Sequence, residues 1–460
     1  MGLFPASYKN PQTVFTERLL KYHHVLAMEC KVASNGFCSF LKRVTDRDCP
    51  EDVEDRYAEF HRAARCWSDL MCRMEGGELH DPEVASRPGG LAVFCSMCPQ
   101  PGINLVMEQN DPDWLKSFSL VGDGNFKQEH MKMRGDPDQD VRLADGTRFM
   151  VASKPFKEYL SRTPNRSKNR KKRTCVNHRA QTQQNRHKPH LDITGIGVWA
   201  CARHGCFLPH SMVDFIKGEE QRIMDWGVSW ALRVIKGWNE GNQDAIEIVN
   251  LIYDIMCQYS VHFKSRLTQN EDLCFPEDLK LQYFIGKFHL GCHKAECYVQ
   301  FTLDLLKGGG RIDGEVLETL WSELNKAKGA TRAMSIARRQ EHLDDLLQDS
   351  NFKKLTGGED SALLRKYTRA KKEEQDAREN YEDLRDRLPL SLLQVWDRDA
   401  GNAISSRDPS HLKIYEMENI NGKGFAEART ELWSQCVESG RKGTADIKLL
   451  MDAMSLESEQ

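Results

Sequence analysis

The acids best able to do chemistry are those standing where an acid is costly. Asp254 interrupts the apolar run from Ile246 to Gln258, Ile-Glu-Ile-Val-Asn-Leu-Ile-Tyr-Asp-Ile-Met-Cys-Gln, and such a run bounded by polar sequence reads as a strand buried on both faces. An unpaired carboxylate there is expensive, so Asp254 must be paired, bind a metal, end the strand, or cap a helix beginning near Cys257. Asp123 follows the strand-like stretch Trp114 to Val121 in Gly-Asp-Gly-Asn-Phe, either at the top of a strand or in a plain hairpin turn. Glu315 and Glu318 open a helix reading Asp313-Gly-Glu-Val-Leu-Glu-Thr-Leu-Trp, where acids also complement the helix dipole.

The second set of residues suits a softer ion. Fifteen cysteines is a high count, and in a chain with no secretory leader they read as reduced thiols or metal ligands before disulfides. Cys95-Ser-Met-Cys98 in a Pro/Gly-rich turn is either half of a tetrahedral zinc site, with His80, Cys66 and Cys72 as candidates for the other half, or two ordinary thiols. Cys175-Val-Asn-His178 and Cys201-Ala-Arg-His204 together supply two thiolates and two imidazoles, a full ligand set for one structural Zn2+. His289 and His293 could share a site on one helical face or serve as core and capping histidines. From Ser161 to His190 the basic residues, Arg170, Lys171, Lys172 and Arg173 among them, occur with no acid. That run suits a DNA backbone, a nuclear import signal or a solvated loop.

The surrounding sequence must position these groups. The chain has 460 residues, 40% hydrophobic, with a net charge of -3, enough for two or three cores, and any nucleic-acid surface must come from segregated charge. No apolar stretch reaches the length of a membrane helix. Helical periodicity runs from Phe15 to Met74, strand patterns at Leu91 to Phe94, Trp114 to Val121, Phe126 to Met133, Thr147 to Ala152, Ile193 to Ala200 and Leu281 to His289, and a helix from Gly218 to Lys236. A long charged helix carrying Leu363, Tyr367, Tyr381 and Leu384 stops at Pro389, its narrow apolar stripe expected to pack on the chain's own core. Three segments follow: a helical region 1–110, a catalytic core 111–356 with a basic zinc-binding insertion 160–205, and a helical region 357–460.

This order, strand with Asp, hairpin strands, helix, strand with Asp, helix, strand and helix with Glu, is the layout of a ribonuclease H-like α/β fold with a mixed sheet flanked by helices. Such a sheet gathers three carboxylates at one edge, able to hold two Mg2+ or Mn2+ ions about 4 Å apart for in-line phosphoryl displacement. The motifs Gly2-Leu-Phe-Pro-Ala-Ser, Cys95-Ser-Met-Cys98-Pro-Gln-Pro-Gly, Asp123-Gly-Asn-Phe, Cys201-Ala-Arg-His204-Gly, Gly218-Glu-Glu-Gln, Tyr253-Asp-Ile-Met-Cys-Gln, Lys287-Phe-His-Leu, Gly310-Arg-Ile-Asp-Gly-Glu315, Leu343-Asp-Asp and Asn351-Phe-Lys-Lys occur in one order. In these the chain resembles the fungal Kyakuja-Dileera-Zisupton transposases. The resemblance implies Asp123, Asp254 and Glu315 as the metal-binding catalytic triad, with Glu318 as the alternative third acid, and supports a zinc-binding insertion. It further implies a DDE-type enzyme acting in the nucleus on transposon ends and target DNA, self-association and no membrane partner. The cysteine-rich cluster that such proteins often carry upstream of the Gly2 motif has no counterpart ahead of it. A catalytically silent, DNA- or chromatin-binding zinc protein is the alternative, and a nuclease acting on RNA or hybrids is a third reading.

Overall fold

Helical periodicity in the first part of the chain yields three helices in the computed structural model, which describes residues 2–133, 135, 140–164, 188–356 and 359–415. A two-stranded ribbon, β1 (Leu3–Pro5) and β2 (Val14–Thr16), leads into α1 (Glu17–Glu29), α2 (Ser34–Thr45) and α3 (Tyr57–Glu75). Thr16 caps α1 by accepting the Leu19 amide at 3.2 Å, satisfying a donor the helix leaves unpaired. Leu20, Phe37, Phe60 and Trp67 close a small core between these helices.

A mixed sheet follows. Its strands are β3 (Ser117–Asn125), β6 (Gly195–Cys201), β7 (Val213–Phe215), β8 (Ile248–Tyr253) and β9 (Lys280–Phe284), while β4 (His130–Met131) and β5 (Leu191–Ile193) form a separate pair. Across the sheet the order is β7-β6-β3-β8-β9. β3 runs antiparallel to β6, and β6 to β7, whereas β8 is parallel to both β3 and β9.

Both faces are covered, which is why β8 is apolar almost throughout. On one face Phe118, Leu120, Trp199, Val249 and Leu251 meet Ile223, Val228, Leu232 and Ile235 of α5 (Gln221–Asn239). On the other, Val121, Val198, Ala200 and Ile252 meet Leu317, Trp321 and Leu324 of α10 (Val316–Leu324) and Leu343 and Leu347 of α11 (Ile336–Thr356). Each such fully buried side chain contributes roughly 1.5–3 kcal/mol. Between these elements lie α4 (Ser153–Arg162), α6 (Met256–Tyr259), α7 (Phe263–Thr268), α8 (Lys287–Leu290) and α9 (Ala295–Phe301). The long helix α12 (Glu359–Asp386) ends ahead of Pro389, and α13 (Leu390–Ser406) follows. Met1–Leu412 clusters as one compact unit and Lys413–Gln460 as a second. Among the described residues no helix is long and apolar enough to cross a membrane.

Several boundaries differ from the sequence reading. The stretch Trp114 to Val121 is not all strand: a 3-10 turn, Asp113–Lys116, comes first, started by Pro112. β3 then runs on through Gly-Asp-Gly, so Asp123 lies in the strand opposite Val198 rather than in a hairpin turn. Thr147 to Ala152 makes only an isolated bridge, Met150 to Met212. Leu281 to His289 divides into β9 and α8, because Gly286 breaks the strand. The stripe of α12 does not pack on the core: Leu364 is 65% exposed and Tyr367 66%.

Candidate functional site

The parallel pairing of β3 and β8 builds an acidic pocket. Gly122 stands opposite Tyr253 in the register, so Asp123 and Asp254 each lie one residue beyond the same pair. Asp123 follows Val121 at the two-residue strand spacing and so leans toward the face carrying α10. Asp123, Asp254, Glu315, Glu318 and His289 line one pocket.

Each acid has a defined setting. Asp123 Oδ1 accepts the Gly124 amide at 2.7 Å, and its Oδ2 accepts the Trp321 indole N–H at 2.6 Å. Burial, and after it the charges of Asp254 and Glu318, push its carboxyl up to about 8 against the hydrogen bonds from Trp321 and Gly124. Glu315, at the start of α10, accepts the Phe288 amide at 3.1 Å and lies 3.0 Å from His289 Nδ1. Through the hydrogen bond to Glu315, and less through Asp254 and Asp123, that imidazole is raised to about 9 despite its burial. It is therefore cationic at neutral pH and the one cation lining this pocket among the described residues. A Cβ on Gly286 would strike the Glu315 carboxylate, so a side chain there would displace that acid. Glu318 is exposed.

One acid of this group was missed by sequence reasoning. Glu219 precedes α5 and accepts the Tyr253 hydroxyl. Burial, then Asp254 and Asp123, raise its carboxyl well above the usual range, so it belongs electrostatically with the other two. The Gly218-Glu-Glu-Gln motif was the available signal, but paired acids ahead of a helix look like ordinary capping residues.

A second site lies at the far end of β6. Cys95, Cys98, Cys201 and His204 bring their ligand atoms within 4.8 Å of one another. His204 Nδ1 is 3.3 Å from Cys95 Sγ, 3.4 Å from Cys98 Sγ and 3.5 Å from Cys201 Sγ. Zn–S of about 2.3 Å and Zn–N of about 2.05 Å at a tetrahedral angle place sulfur and nitrogen about 3.6 Å apart, so the donor set fits a closed structural zinc site. Hydrogen bonds from Cys201, Cys206 and Cys98 hold the Cys95 thiol below its usual range, while the same contacts push Cys98 and Cys206 up. The thiols thus share one negative charge until a cation joins them, and thiolate is the form a metal takes.

Two of the pairs named from the sequence therefore come together, Cys95/Cys98 with Cys201/His204. Cys201, at the end of β6, and His204 meet Cys95 and Cys98, and these make a set of four donors among the described residues. Cys175 and His178 lie outside the described residues, as do Arg170, Lys171, Lys172 and Arg173. Nor do the other suggested partners of Cys95 reach it. Cys72 donates to Asp345 at 3.6 Å, and Cys66 and His80 belong to no ligand group among the described residues. His289 and His293 do not share a site: the first meets Glu315, and the second lies 3.4 Å from Cys257 Sγ.

Comparison with known proteins adds family evidence. Residues 117–351, just over half of the chain, match the model of the Kyakuja-Dileera-Zisupton transposase. Residues 1–48 match the CxC2-like cysteine cluster associated with KDZ transposases. A search of curated proteins found no match, and a search of solved structures found none.

Proposed function

Because the chain belongs to the Kyakuja-Dileera-Zisupton transposase family, we propose that it is a metal-dependent DNA transposase working at the pocket where β3 and β8 end. A transposase-related function and a DNA partner follow from the family. The observation that carries the finer reading is the register that sets Asp123 beside Asp254, with Asp123 pushed up to about 8 by burial and like charge.

Asp123, Asp254 and Glu315 would hold Mg2+ or Mn2+. Their oxygens suit hard ions, and acids that raise one another gain most from a cation. When bound, such ions stabilise charge on the attacking and leaving oxygens of an in-line phosphoryl displacement. The protein's part is positioning. The Trp321 N–H orients Asp123, His289 and the Phe288 amide hold Glu315, and Glu219 with Tyr253 backs the pocket from the opposite face of the sheet. Water is the nucleophile in cleavage and a 3'-hydroxyl takes its place in strand transfer, so no protein nucleophile is needed.

The sheet order, three antiparallel strands followed by two parallel ones, supports a ribonuclease H-like core of the DDE type. A groove sharing Glu315 and Glu318 with the pocket carries both signs of charge, Arg203, Arg311, Lys366 and Arg369 beside Asp313, Glu373 and Glu374, with Arg311 paired to Glu373 at 3.0 Å. Structural zinc at Cys95, Cys98, Cys201 and His204, self-association, a nuclear site of action and a fungal origin belong to the same reading. The test is Mn2+-dependent cleavage of DNA. Asp254→Asn is expected to lower it by at least about 10³-fold and to leave DNA binding intact; cleavage that survives the substitution overturns the assignment.

A further inference from the structure

Two thiols and an imidazole meet outside both sites described so far. The ligand atoms of Cys257, His293 and Cys297 lie within 4.8 Å of one another, and all three residues are partly buried. Cys257 Sγ is 3.4 Å from His293 Nδ1, close to the sulfur–nitrogen edge of about 3.6 Å that a tetrahedral zinc ion imposes.

We propose that Cys257, His293 and Cys297 form a second Zn2+ site, with a water or other small ligand in the fourth position. The donors suit zinc because thiolate and imidazole are its preferred ligands, and two thiolates with one imidazole leave a neutral complex. The three ligands come from two segments. Cys257 lies in α6, His293 stands just before α9, and Cys297 lies within α9. No local turn needs these types at these places, and the ion would join segments that the chain itself connects only through β9.

The position of this clip gives it a role. Cys257 is three residues beyond Asp254, and His293 is four beyond His289, the residue that holds Glu315. Zinc here ties the segment after β8 to the segment after β9 and so fixes the spacing of Asp254 and Glu315. The positioning role rests on the phosphoryl-transfer reading; the site does not.

The experiment is zinc content of the purified, reduced full chain, compared with Cys257→Ser/Cys297→Ser and with Cys95→Ser/Cys98→Ser. Each double variant is expected to lose one equivalent, and their combination two. A folded Cys257→Ser/Cys297→Ser protein with undiminished zinc overturns the site. Should that variant fail to fold, anomalous scattering at the zinc edge on wild-type crystals decides. A peak among Cys257, His293 and Cys297 is expected, and its absence, with a peak present at Cys95, overturns the proposal. Zinc present at the site in a protein without Asp254-dependent cleavage leaves the site standing and removes its catalytic role.

Discussion

In α11 the buried acids Glu341 and Asp345 face arginines, whereas in the pocket at the ends of β3 and β8 acids face one another. Asp344 of α11, held by the Phe149 and Met150 amides, is pushed up to about 7 by burial. Asp345 accepts from Arg148 at 2.8 Å, and Arg148 also reaches Asp69 at 2.8 Å. Glu341 takes two bonds from Arg65, at 2.9 and 2.8 Å, and Arg339 meets Asp214 at 2.6 Å. Burial raises the Asp345 carboxyl, yet Arg148 and Arg338 hold it below its usual value. Asp123, similarly enclosed but with Asp254 and Glu318 as its charged neighbours, goes the other way, to about 8. Burial is common to the two regions and the sign of the neighbours differs. Opposite charges closed on each other tie segments of the fold together, while like charges held together by the fold leave a place for a cation.

The largest effect should come from breaking a closed pair. Arg148→Met removes the nearest partner of the buried Asp345, leaving it Arg338 at 3.7 Å, and leaves Asp69 to Arg73. It is expected to cost about 3–5 kcal/mol in denaturant unfolding, and a loss below about 1 kcal/mol would erase the distinction drawn here. Next in size is Trp321→Phe, which keeps the ring and removes the N–H on Asp123. The fold should survive, with Mn2+ affinity falling about 10–100-fold by titration, and an unchanged affinity would show that the indole only fills space.

A third test sharpens the comparison through pH. A carboxyl at about 8 in the folded chain, against an ordinary 3.8, is protonated in the native state and ionised in the unfolded one across the window between those values. Folding therefore takes up a proton there, and the stability of the metal-free chain falls as pH rises, by up to about 1.4 kcal/mol per pH unit. Asp123→Asn should flatten that slope, and Mn2+ should oppose it in wild type by displacing the proton. Unfolding curves at pH 5 and pH 8, with and without Mn2+, check both, and an equally steep slope in Asp123→Asn assigns it to another group.

How legible this was in the sequence depended on the range of the interaction. Asp254 stood out because an acid in an apolar run breaks a local pattern, and Asp123 because glycines flank it. The partnership of Cys98 with Cys201 could not be seen, since it joins residues 103 positions apart that meet only in the folded chain. Glu219 was hidden as a capping acid. The sequence Ala-Arg-Arg-Gln-Glu-His of α11 has the look of a solvated face, yet Arg339 and His342 are buried. Its partners, such as Asp214 and Gln128, come from 125 and 211 residues away, where periodicity says nothing.

The alignment of Gly122 with Tyr253 also determines which changes of chain length the protein can tolerate. Residues gained or lost in the loops between strands leave Asp123 and Asp254 level. A single residue inserted within β3 ahead of Asp123 would turn that carboxylate to the opposite face of the sheet, away from Trp321, and swap inward for outward positions along the strand. Such a one-residue insertion would be more damaging to this chain than the addition of a whole loop.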